Sequence, residues 1–124
     1  MRAKFVNEYV VLPPKSKEDI IRDLSSLSKD ELNKQLLKAC EQGLTNIVQW
    51  IIDAGADANA KNTFGRTALM YASRFGHKDI VELLLDVNAN VNMQDCDGWT
   101  PLMWALDYGH NDIVDLLKKY GATR

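Results

Sequence analysis

The chain has 124 residues, 46% of them apolar and 26% charged, with a formal net charge of -2; this is the size and balance of one soluble globular domain. That charge argues against nucleic acid as a partner, because phosphate binding needs clustered Lys and Arg. No run reaches the ~18 apolar residues of a membrane-spanning helix, and Arg2, Lys4, Asn7 and Glu8 interrupt what would be the apolar core of a signal peptide.

The first element is a leader, residues 1–14, that carries Phe5, Tyr9, Val10, Val11 and Leu12 and closes on Pro13-Pro14. It is apolar enough to pack back on the fold or to pair with another chain. Residues 15–28 are expected to form a capping helix. Ser16 and Asp19 make a capping arrangement at its start, and Ile20, Ile21, Leu24 and Leu27 follow at helical spacing to about Leu27. Ser28 and Glu31 offer a second capping box for the next helix.

From there the sequence repeats with a period of 33. Gly43, Gly76 and Gly109 keep that step, and so do Leu36, Leu69 and Leu102, Ala39, Ala72 and Ala105, Ile47, Ile80 and Ile113, and Val48, Val81 and Val114. All seven glycines fall in register, so the repeat decides the architecture. Each period reads as a helix pair. In the second, Thr67 caps a short helix with Leu69, Ala72 and Ser73 on its apolar side, and Gly76 ends it. The helix that follows, with Ile80, Val81, Leu83, Leu84 and Leu85, is too apolar to face water alone. Asn88 takes the place of a glycine at its end, the next best residue for a left-handed turn. Residues 88–98, rich in Asn and Asp, read as a turn-containing connection. In the last period Leu85 and Asp86 are replaced by Lys118 and Lys119, which reads as a polar C-terminal cap and a natural chain end; truncation of a longer protein is the alternative.

Gly98-Trp99-Thr100-Pro101-Leu102-Met103-Trp104-Ala105, continued by Gly109-His110, Ile113-Val114, Leu116-Leu117 and Gly121-Ala122, resembles the ankyrin repeat. The second period is similar with Ala68 in place of proline, and the first matches only from Ala39 onward. The resemblance implies an all-α solenoid of helix-turn-helix units joined by hairpins, with an N-terminal helical cap. Its repeats would span about 29–61, 62–94 and 95–124. It also implies that Met70 and Met103, standing where the family has His, lack that residue's hydrogen bond. His77 and His110 would meet backbone groups at a helix start, and Asn59 and Asn92 would hold their turns together. Trp50, aligned with Leu83 and Leu116, reads as core.

In proteins of this resemblance a partner meets the concave face made by the first helices and the hairpin tips. If Leu69 and Ala72 face the core, helical geometry puts Tyr71, Arg74 and Phe75 on that face. One period on it carries Trp104, Asp107 and Tyr108, and one period back Lys38, Glu41 and Gln42. Hairpin tips add Phe64, Arg66 and Trp99, with Thr63, Cys96 and Asp97 beside them. Six of the ten aromatics thus fall on positions the repeat does not require, an enrichment typical of binding hot spots. For Tyr71 and Trp104 the competing reading is partial burial between helices.

No catalytic set emerges. The histidines have repeat roles, Cys40 and Cys96 have no Cys or His ligand spacing around them, and no glycine is left for a phosphate-binding loop. Neither a cofactor nor a metal is expected. Two lone thiols suit a reducing compartment, so the cytoplasm is the expected location, with leaderless export as the alternative. The function expected is a protein–protein interaction module, an adaptor or inhibitor, with a protein partner and a monomeric state when alone. The alternatives are a self-assembling structural protein joined through its leader and a non-catalytic regulatory subunit of an enzyme.

Overall fold

Ser16 Oγ accepts a hydrogen bond from the backbone N–H of Asp19 at 3.1 Å, and with that contact the first helix of the computed structural model begins. The structure describes residues 16–123, so the expectations for the leader lie outside the described residues. Helix α1 spans Lys17–Ser25 and stops short of Leu27. The second capping serine works as expected: Ser28 Oγ accepts from Glu31 N–H at 3.2 Å and opens α2, Lys29–Gln42. Then follow α3 Thr45–Asp53, α4 Ala68–Phe75, α5 Lys78–Asp86, α6 Pro101–Asp107 and α7 Asn111–Lys119. Among the described residues there is no strand.

The helices form two layers. First helices α2, α4 and α6 pack side by side, each against its second helix α3, α5 or α7, and α1 lies on α3. Alanines 39, 72 and 105 are buried along the first-helix row, where a small side chain lets neighbouring helices approach. Leu36, Val48, Ile51, Leu69, Ile80, Leu84, Ile113 and Leu117 fill the space between the layers. Each such buried side chain contributes about 2 kcal/mol by apolar transfer.

Turn chemistry sets the angles. Gly76 sits at φ 79° after α4, and Asn88 at φ 66° after α5 does what its sequence position suggested. Thr67 and Thr100 cap α4 and α6 by accepting from the N–H groups of Met70 and Met103. The missing imidazole bond is replaced in one repeat: Met70 Sδ accepts from Thr67 N–H at 3.5 Å, so the thioether closes the box that a histidine was expected to leave open. Two hairpins connect the repeats. Asn62 Oδ1 accepts from the N–H groups of Phe64 and Arg66, and Asp95 Oδ1, one period later, from those of Asp97 and Trp99.

Three expectations need correction. The His77 and His110 rings do not serve their own helix starts; they reach back to carbonyls of the preceding repeat, those of Glu41 and Arg74. Asn59 and Asn92 likewise bond across repeats, accepting from the N–H groups of Asn90 and Thr123. Trp50 is half-buried at the edge of the core, because an indole is wider than the leucine it replaces.

Candidate partner-binding face

The short helix α4 ends with Tyr71, Arg74 and Phe75 on the side away from the second layer, and α6 presents Trp104 and Tyr108 beside them. The hairpins carry Phe64 and Arg66, then Trp99, to the same place. These side chains meet. The Arg66 guanidinium lies 5.3 Å from the centroids of both Phe64 and Trp104. That of Arg74 lies 4.9 Å from Phe75, 5.3 Å from Trp104 and 5.4 Å from Tyr108. Trp99 tilts against Trp104 at 4.7 Å, and Tyr108 stands 6.1 Å from it. Trp104 is therefore the hub, contacted by both arginines. Cation–π contacts of this kind are worth about 0.5–2 kcal/mol each, more where water is excluded.

Exposure divides the set. Phe64, Phe75 and Tyr108 are 60%, 40% and 46% exposed, while Tyr71, Trp99 and Trp104 are half-buried. Tyr71 is turned toward the hairpin, where its hydroxyl accepts from Asn62 Nδ2 at 2.8 Å; its role is partly to hold that turn. Asp107 is exposed on α6 and stands outside the ring cluster. Lys38, Glu41 and Gln42 are exposed on α2 without an aromatic among them, so the aromatic surface belongs to the second and third repeats.

The two arginines differ in charge environment. Arg66 Nε is 3.8 Å from Oδ2 of the buried Asp95, close enough for attraction but too long for a hydrogen bond. Arg74 has no carboxylate partner among the described residues. Nε of both arginines and Nε1 of Trp104 are buried donors without a protein acceptor.

Sequence reasoning missed two features. Asp95 ties the second hairpin together and faces Arg66, a role visible only in its being one period from Asn62. In addition, α2 runs straight through the positions where the later repeats have hairpins. An open groove of about 590 Å³ results, lined by Asp30, Asn33, Lys34, Leu37, Lys61 and Thr63 among others. Ser28 and the lack of Gly, Thr and Pro in residues 29–35 are the signals for it.

None of this arrangement resembles a reaction centre. Among the described residues no cluster of three or more His, Cys, Asp or Glu could hold a metal, and no helix is long and apolar enough to cross a membrane. The Cys40 thiol is buried and pushed up to about 12 by desolvation, and Cys96 is exposed with Sγ 3.8 Å from the Thr63 carbonyl.

Comparison with known sequences decides the family: a profile described as ankyrin repeats in three copies matches residues 36–123. The chain belongs to the ankyrin-repeat family. Similar curated proteins include the E3 ubiquitin-protein ligase XBAT33 of Arabidopsis thaliana and the probable E3 ubiquitin-protein ligase XBOS33 of Oryza sativa subsp. japonica. Each is 46% identical over 46 residues, which are 37% of this chain and 9% of the relative. The likeness is thus confined to a small part of both relatives. Ankyrin repeats are generally non-catalytic protein–protein interaction modules, and this ankyrin-repeat protein carries three of them.

Proposed function

We propose that this ankyrin-repeat protein holds a protein partner on the first-helix face of its second and third repeats, acting as an adaptor or as an inhibitor that covers the partner's surface. The observation that carries the reading is Trp104, contacted by the Arg66 and Arg74 guanidinium groups with Phe64, Phe75 and Tyr108 exposed around it. Aromatics and arginine are the residue types that dominate binding hot spots, each often worth ~2 kcal/mol or more on truncation. Here they form one patch on positions that the repeat leaves open. Rings already locked against guanidinium groups lose little side-chain freedom on binding, which favours affinity.

The test is affinity capture with the wild type, with Phe75→Glu/Tyr108→Glu, and with Glu82→Lys/Asp115→Lys on the second-helix layer, each checked for folding by circular dichroism. A partner held by the wild type and by the second variant but lost from the first supports the reading. A partner kept by Phe75→Glu/Tyr108→Glu and lost from the other variant moves the site to the second layer. Light scattering on the isolated protein is expected to give a monomer; a larger species would favour self-assembly.

A further inference from the structure

Arg74 is placed before anything binds it. It stands in the last turn of α4, and its backbone carbonyl accepts from His110 Nε2 at 3.0 Å, which ties that turn to the next repeat. Its guanidinium rests among the rings of Phe75, Trp104 and Tyr108. Flat contacts on ring faces leave the edge of the planar fork for bidentate bonding, the geometry a carboxylate matches. Arg66 has Asp95 as a counter-charge, whereas Arg74 has none among the described residues. Trp104 Nε1 beside it is a second donor without a protein acceptor.

The surroundings bound the size of the charge that fits. Glu41, Asp97 and Asp107 are exposed on the same first-helix and hairpin surface, and they would repel a string of phosphates. Phe75 and Tyr108, exposed to either side of the arginine, suit apolar side chains. A single anionic group within an apolar segment meets both conditions.

We infer that the partner presents an Asp or Glu carboxylate, flanked by apolar residues, that seats on the Arg74 guanidinium. The inference rests on the reading of this face as the binding surface. It assigns the specificity to Arg74 and not to Arg66.

The experiment is selection from a displayed library of random peptides on the intact protein, followed by fluorescence titration of the strongest peptide and its Glu→Gln or Asp→Asn counterpart. The titrations use wild type, Arg74→Gln, Arg66→Gln and Phe75→Glu/Tyr108→Glu. Selected peptides are expected to share a carboxylate. Neutralising it should weaken wild-type binding by about tenfold or more, and Arg74→Gln binding by less than about twofold, because the charge-assisted bond is already gone. Arg66→Gln should retain the large loss. Arg74→Lys keeps the charge without the fork and should give an intermediate loss, which preserves the test if Arg74→Gln does not fold.

Peptides without a carboxylate, no enriched peptide at all, or an equal loss in Arg74→Gln would overturn the carboxylate. So would a single-stranded oligonucleotide that binds more tightly than the peptide. Undiminished peptide binding by Phe75→Glu/Tyr108→Glu would instead overturn the choice of face. If that variant loses binding while Arg74 and the carboxylate prove uncoupled, the face stands and the carboxylate alone fails.

Discussion

His110 Nε2 lies 3.0 Å from the backbone carbonyl of Arg74, so a side chain of the third repeat fixes the end of the helix that presents the arginine of the second. A carbonyl can only accept, so Nε2 carries the proton. The glycine at position 76 makes room for the ring: a Cβ there would come within 2.7 Å of His110 Cε1, and the backbone is at φ 79°. Gly109, the equivalent one repeat later, has φ 75° but nothing near its missing Cβ.

That contrast gives a first prediction. Gly109→Ala should cost about 1–2 kcal/mol, the penalty for a side chain in the left-handed region. Gly76→Ala should cost more, because the imidazole is also displaced. Urea unfolding of both variants, and of Gly76→Ala/His110→Ala, checks it. In the double variant the clash is relieved, so its stability should exceed the sum of the two single effects.

His110→Ala alone should lose about 1 kcal/mol, the ordinary value of one hydrogen bond, and should also loosen the last turn of α4. Hydrogen exchange at the end of that helix reads the second effect. Equal protection in wild type and variant would show that the ring adds no order to Arg74.

Asp95 supplies an internal comparison. Asn62 makes the same two turn contacts through an amide oxygen at the corresponding place, so Asp95→Asn should change stability by less than about 1 kcal/mol. Asp95→Ala leaves two backbone N–H groups unpaired and should cost about 2–3 kcal/mol. Thermal unfolding of the two variants separates these values.

The cysteines should differ in chemistry. Exposed Cys96 is expected to react with a thiol reagent in the native protein at about pH 8 and Cys40 only after unfolding. Burial raises the Cys40 thiol from its ordinary 9.0 to about 12, so between those values the folded state keeps a proton that the unfolded state has released. Stability should therefore fall as pH rises through that window. Urea midpoints measured across it provide the check.

Much of this molecule could be read from its residues. The glycine register, the capping serines and threonines and the apolar positions fixed the helices, because each acts within a few residues of itself. Asn88 was legible for the same reason. What escaped acts between repeats. His77, His110, Asn59 and Asn92 bond to groups 29 to 36 residues away, and a one-dimensional pattern shows that they recur but not what they touch. The same holds for the face. Helical spacing placed Arg74, Phe75, Trp104 and Tyr108 on one side, but only the packing of α4 against α6 brings both arginines onto Trp104. Met70 differs again: its sulfur fills a role its residue type did not suggest.

The most direct measurement of the central claim is site-specific photo-crosslinking in host lysate, with a photoreactive phenylalanine analogue at Phe75 or Tyr108 on one face and at Glu82 or Asp115 on the other. A covalent adduct to the same partner from positions 75 and 108, and none from 82 and 115, is the predicted result. Adducts from 82 and 115 alone would contradict the account and place the working surface on the second helices.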